Sequence, residues 1–319
     1  MMRRARPSKA GKTADASAQS YGRLVQARLP GLLDRIRETV EALERAYEGK
    51  GAATGPGGES HLWEHTAQVA SLTFKLARME GMDDDAALVP VLAALFHDAG
   101  KFAGGEYHGG DTAEEEESAK VARRLLGGTP LKPAELRAVL GGLGALYNEK
   151  SPKNRVAALV HDADFLSKFG AMGVAAFFTK ATLRGRSMHG AMLGHLSKEL
   201  TYAACLPGNM RTAAGRRMAA GKARDSLGFF RKLLRELRDA GVADLRVRKL
   251  RIQDPRAPRA AGRRLEILLA ASPVCPRCHA PWEAAWSTAE GVKCTKLDID
   301  WHCADCGESL ETSFCLPEV

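Results

Sequence analysis

Aromatic residues are scarce, at 6% of 319 residues, while Ala, Leu, Arg and Glu abound. That composition favours helices over sheets. Long apolar runs are missing as well. The most apolar stretch, Ala87 to Phe96, is roughly half the length a membrane span needs, so it reads as a buried core helix and no membrane partner is expected. Cysteine is almost absent from the first 270 residues, where only Cys205 stands, and six of the seven cysteines come later. The seven cysteines do not suggest a disulfide framework: four of the late ones form two CxxC pairs, and without an export signal that pattern indicates metal binding rather than oxidation. The opening stretch MMRRARPSKAGKTADASAQS is basic but lacks the apolar centre of a secretory signal. Residues 1–19 are therefore expected to be a disordered tail, and the protein cytoplasmic.

What is present is ordinary for a soluble globular protein: 45% apolar and 27% charged residues. The length suits one large domain or two unequal ones. The net charge of +9 is unevenly spread. Residues 206–266 hold seventeen Lys and Arg against six Asp and Glu, or 17 − 6 = +11, so the rest is slightly acidic. Such a segment can attract a polyanion, or simply be a solvated helix face.

Leu24, Leu29, Leu32, Leu33, Ile36, Val40 and Leu43 recur at helical spacing, predicting an N-terminal helix over 20–48 that Pro30 can break or kink near its start. The connector GKGAATGPGGES (49–60) stops it, and Ser60 can cap the next helix. Further helices are expected at about 60–80, 84–99, 112–127, 132–147, 153–169, 171–184, 188–204 and 210–240. Near residue 243 the texture changes. DLRVRKLRIQ and RRLEILLAAS are strand-like runs around a Pro-rich loop, predicting a β-hairpin over 243–271. A Cys-rich tail, 272–319, carries three of the four tryptophans, and no internal repeat is visible. The expected architecture is mainly α, with a small C-terminal β-rich appendage.

The phrase VLAALFHDAGK (91–101) is the most informative. A greasy helix ends in His97 and Asp98, which is costly unless something compensates them, and a metal ion does so directly. His65 lies three residues after Leu62 and four before Val69, on the apolar face of its helix. In VAALVHDADFLSKFG (156–170), Asp162 and Asp164 fall within another apolar helix. Imidazole and carboxylate donors together suit a borderline divalent ion such as Mn, Fe, Co, Ni or Zn rather than Ca, with Mg kept as a further candidate. Lys101, one turn past His97, could contact a phosphate oxygen or be a plain surface lysine. Glu114–Glu117 and Asp162 could supply a general acid or base, although acidic residues also suit a helix's first turn. His61 and His161 are candidates for hydrogen-bonding support.

Taken in order, His65, His97-Asp98 and Asp164 resemble the HD superfamily of metal-dependent phosphohydrolases. DADFL…G and the later LPGNMRTAAGRRMAAGKARDSLGFFRKLLREL are similar to a subgroup of small bacterial members. The resemblance covers about 58–240. It implies an HD-domain helical bundle with His65, His97, Asp98 and Asp164 as metal ligands. Two-metal members have extra histidines between the HD pair and the last Asp. Here only His108 and His161 fall in that interval, so a single metal is expected.

In the tail, CPRC (275–278) and CADC (303–306) are twenty-four residues apart, a spacing that resembles a zinc ribbon. Two such turns can aim Cys275, Cys278, Cys303 and Cys306 at one tetrahedral Zn. His279, Cys294, His302 and Cys315 are spare donors. The expectation is an enzyme that hydrolyses a phosphate ester of a nucleotide or related phosphorylated small molecule, with Asp98, Lys101 and Asp162 as catalytic candidates. The alternative is a nucleic-acid-binding protein that grips with the basic 206–266 segment and the ribbon, its HD site a sensor or relic.

Overall fold

A computed structural model describes residues 20–47, 60–108, 112–146, 153–183, 185–186, 188–256, 264–290 and 294–316. The expected tail, 1–19, lies outside them. The chain divides into two compact units, 1–164 and 165–319.

The first unit is helical. The stretch expected as one helix is two, α1 (Ser20–Arg28) and α2 (Leu32–Ala46). Pro30 lacks an amide to continue the first, and Gly31 turns the chain at φ 74°. Along α2 the buried positions Leu32, Ile36 and Val40 recur every four residues and end in the buried Glu44, to which Ser60 donates its hydroxyl hydrogen. Ser60 also accepts the Trp63 amide at 3.0 Å, capping α3 (His61–Met79) as its position predicts. Asp83 caps α4 (Asp84–Phe96) by accepting the Ala86 amide at 2.8 Å. From Ala87 to Phe96 every side chain except Val89 is buried. Leu92, Leu95 and Phe96 are each fully covered, worth about 1.5–3 kcal/mol apiece. That burial offsets the cost of the polar pair at the helix end. α5 (Thr112–Leu126), α6 (Pro133–Gly144) and α7 (Arg155–Ser167) complete the bundle, with α4 packed on α3 and α6.

The second unit holds α8 (Gly170–Leu183), α9 (Met188–Asn209), α10 (Ala213–Asp239) and five strands. β1 (Arg246–Gln253) and β2 (Arg264–Ala271) form the antiparallel hairpin, pairing Arg246 with Ala271 and Gln253 with Arg264. The outer edge of β2 is covered by α9. Thr201 Oγ1 donates to the Leu268 carbonyl and accepts its amide, and Ser197 Oγ accepts the Ala270 amide. Those bonds satisfy a strand edge that would otherwise invite pairing. Both faces of the hairpin are used. Ile252, Leu265, Ile267 and Leu269 pack with Trp282, Leu297, Ile299 and Trp301. Val247, Leu268 and Ala270 pack with Leu196, Leu200, Phe230 and Leu234. The ribbon itself is β3 (Glu283–Glu290), β4 (Thr295–His302) and β5 (Ser309–Cys315), antiparallel in that order. Cys294 and Cys315, left by the sequence as spare donors, are joined in a disulfide. They meet because β4 and β5 pair Lys296 with Cys315 at that end of the sheet.

Candidate metal centre

Three helices of the first unit bring the predicted residues together. His65 projects from α3, His97 and Asp98 follow the last turn of α4, and Asp164 projects from α7. His65 Nε2 is 3.4 Å from His97 Nε2, 3.6 Å from Asp98 Oδ2 and 3.2 Å from Asp164 Oδ1. His97 Nε2 is 3.5 Å from Asp98 Oδ1. Donor atoms of His65, His97 and Asp98 all lie within 4.8 Å of one another and could hold a metal ion. His97 Nδ1 is 2.7 Å from the Ala94 carbonyl. That carbonyl can only accept, so Nδ1 carries a proton and Nε2 is the nitrogen that faces the cluster.

The electrostatics suit a cation. Burial pushes the His65 imidazole below its ordinary pKa, with Asp164 and Asp98 opposing incompletely, so it is neutral and ready to ligate. Burial alone would raise the Asp98 carboxyl, but positive charge around it, from His97 and His65 when they are protonated and from the Lys101 ammonium, holds it well below the usual carboxylate range. Lys101 Nζ donates to Asp98 Oδ2 at 2.7 Å and lies 3.5 Å from Glu114 Oε1. Burial would lower this ammonium, yet Asp98 and Glu114 keep it above its ordinary value. Lys101 is therefore at the cluster rather than out on the surface, and its side chain keeps 23% exposure.

Asp162 sits elsewhere on α7. Two positions apart on a helix is about 200° of rotation, which turns it away from Asp164. It is fully buried, and its Oδ1 lies 3.1 Å from His161 Nδ1. Glu114 is buried beside Lys101, whereas Glu116 and Glu117 are not buried.

Two positioning residues escape a reading by motif. The Gly100 amide donates to Ser118 Oγ at 2.9 Å, and Ser118 Oγ donates to the His97 carbonyl at 3.0 Å. One serine of α5 thus ties down the turn that carries both metal-binding candidates. A Cβ on Gly100 would lie 2.4 Å from the Ser118 nitrogen and 2.5 Å from the Glu114 carbonyl oxygen. Only glycine lets α5 come this close. The HDAG string was visible in the sequence, but nothing there says which helix presses on its glycine.

The chain then doubles back, with the His108 amide bonded to the Lys101 carbonyl at 2.9 Å. Tyr107 comes to rest near Phe102 and Tyr47, with ring centroids 5.7 and 6.2 Å away, and keeps 43% exposure.

A second cluster lies in the ribbon. Cys275 Sγ is 3.5 Å from Cys306 Sγ, and Cys278 Sγ is 3.5 Å from Cys303 Sγ. The four sulfurs lie within 4.8 Å of one another and could also hold a metal ion. The two turns are built alike. The His279 amide bonds to the Cys275 carbonyl and the Gly307 amide to the Cys303 carbonyl, both at 3.0 Å. Both His279 and Gly307 are left-handed, at φ 63° and 73°. Burial would raise the Cys275 thiol, but the Cys278 and Arg277 amides bring it down to about 7, within reach of the thiolate a metal needs.

A helical unit that carries buried imidazoles and carboxylates to one point is a candidate metal-binding domain. Residues 62–167 of the chain match the model of the HD domain. Solved structures similar to the chain include Bacillus subtilis YpgQ, at 20% identity, 65% of this chain, 96% of that one and a TM-score of 0.45. YpgQ in complex with ADP gives 21%, 64%, 94% and 0.44. An HD-superfamily hydrolase from Bacillus thuringiensis gives 22%, 65%, 98% and 0.45. No curated protein matches the chain. Among the described residues, no helix is long and apolar enough to cross a membrane.

Proposed function

We propose that this chain hydrolyses a phosphate ester, with His65, His97, Asp98 and Asp164 holding one divalent metal ion. The observation that carries the reading is the convergence of their donor atoms on His65 Nε2. Two imidazoles and two carboxylates suit a divalent transition ion. When bound, such an ion supplies Lewis acidity and lowers the pKa of its water.

Lys101, partly exposed and held by Asp98 and Glu114, is placed to neutralise a phosphate oxygen. Glu114, buried 3.5 Å from Lys101 Nζ, is a better candidate than Asp162 for handling a proton. Asp162, sealed against His161, acts by holding α7. Tyr107 supports a nucleotide as the substrate. A half-exposed ring backed by Phe102 and Tyr47, on a loop that closes on Lys101, offers a base a flat surface beside a phosphate site. In the ribbon, four thiolates favour Zn.

The test is turnover of nucleoside triphosphates, cyclic nucleotides and simple phosphomonoesters with Mn, Co, Ni and Mg, beside Asp98→Ala. Metal-dependent turnover absent from the variant supports the reading. Wild-type turnover in the variant sinks it.

A further inference from the structure

The basic segment 206–266 resolves into two chemically different parts. On the hairpin the charges are largely satisfied. Arg246 lies 3.2 Å from Asp244, Lys249 2.9 Å from Glu266, and Arg256 2.9 Å from Asp254. Arg248 stacks its guanidinium over the Trp301 ring at 5.1 Å. The ribbon offers an anion nothing, since 275–316 holds three Lys and Arg against seven Asp and Glu, 3 − 7 = −4.

Helix α10 differs. Arg217, Arg224 and Arg231 follow at seven-residue intervals and Arg235 comes one turn on, all exposed. Seven residues are nearly two full turns, so the four side chains form one row about 27 Å long. None has a carboxylate within salt-bridge distance among the described residues. The neighbouring Lys232 and Arg238 do, at Glu236 and Asp239.

Gly221 and Gly228 stand between the arginines, and a Cβ on either would meet nothing within 4 Å. Glycine inside a helix costs about 0.5–1 kcal/mol relative to alanine, and no packing among the described residues requires it here. The row is thus a line of unneutralised guanidinium groups with room between them for a partner to approach the helix closely.

We propose that this arginine row of α10 binds the phosphate backbone of a nucleic acid. Guanidinium groups pair with phosphate in bidentate fashion. A linear array of cations fits a linear array of phosphates, and the row is somewhat shorter than one turn of duplex, about 34 Å. A membrane surface fits less well. An interfacial helix inserts an apolar face, and that of α10 (Ala219, Ala223, Phe230, Leu234) is already buried in the protein. The inference is independent of the hydrolase reading, because the row includes none of the metal-binding candidates.

The test is fluorescence anisotropy of the full chain with a labelled mixed-sequence DNA duplex two turns long, and with one of its strands. Two fourfold variants accompany it, one with Arg217, Arg224, Arg231 and Arg235 all changed to Ala and one with all four changed to Lys. Alanine is the best helix former and these sites are exposed, so folding is not at risk; circular dichroism checks it. Binding to either probe should weaken roughly 100-fold from about 50 to about 200 mM salt, as four phosphate contacts imply. The Ala variant should lose at least roughly tenfold at low salt, while the Lys variant, which keeps the charge, stays within a few-fold. No binding by the wild type at low salt, equal binding by the Ala variant, or binding of phosphatidylserine vesicles without nucleic acid would each overturn the proposal.

Discussion

His65 Nε2 lies 3.2 Å from Asp164 Oδ1, which joins the first turns of α3 to the last turns of α7 inside a unit otherwise packed with alanine and leucine. Neither residue is near the other in sequence, and between them stands the His97-Asp98 pair. The function of this chain turns on what that convergence holds.

If it holds a metal, removing Asp164 removes a ligand and a charge together. Asp164→Ala should lower turnover at least about 100-fold, since even residues that only support ligands cost about 10–100-fold. The fold should persist, because the bundle's core does not use the carboxylate. Metal analysis and circular dichroism of the variant check both halves.

Ser118 tests the support beneath the site. Ser118→Ala leaves the Gly100 amide and the His97 carbonyl without their shared hydroxyl, and should cost about 1–3 kcal/mol in urea denaturation. Turnover should fall as well, because the turn bearing His97 and Asp98 is no longer tied to α5. An unchanged midpoint would mean that water replaces the hydroxyl at no cost.

Acid should destabilise the metal-free chain in two stages. His65 is held below its ordinary 6.5 by burial, so the fold keeps it neutral where the unfolded chain protonates it. Its contribution is full above pH 6.5 and is lost as pH falls through the lowered value of the fold. Asp98, held below its ordinary 3.8, adds a further loss below about pH 4. Denaturation midpoints measured down the pH scale should drop from about pH 6.5, and His65→Gln should flatten that first part. A slope identical in the two proteins would contradict the assignment.

Tyr107→Ala separates the base from the phosphate. The KM for nucleotides should rise by about fivefold to fiftyfold, equivalent to about 1–2.5 kcal/mol of lost stacking. A simple phosphomonoester, having no base to stack, should be unaffected. Equal effects on both substrates would move Tyr107 from recognising substrate to holding its loop.

Much of this was legible in the chain because local physics decided it. The apolar run ending at Phe96 read as a buried core helix, and Ser60 caps the helix it precedes. Polar residues on greasy faces drew attention to three helices, but it was the resemblance to the HD superfamily that singled out His65, His97, Asp98 and Asp164 from neighbours such as Asp162 and His161. What stayed hidden depends on contacts far apart in sequence. Nothing near Lys101 reveals that Glu114 lies beside it, and nothing near Gly100 reveals that α5 presses on it. The basic segment looked uniform as a string. Only pairing with Asp244, Glu266 and Asp254 separates a neutralised hairpin from the open row on α10. The hairpin was expected from its two strand-like runs, but not that its two faces belong to two different cores.

The most direct measurement is metal content and turnover on the same samples of wild type, Asp98→Ala and Cys303→Ser. A divalent ion should occupy the HD site of the wild type and of Cys303→Ser but be absent from Asp98→Ala, with hydrolysis of a phosphate ester following that ion. A wild-type chain that binds no ion beyond the one lost with Cys303, or an Asp98→Ala chain that hydrolyses as fast as the wild type, would contradict the assignment of a metal-dependent hydrolase.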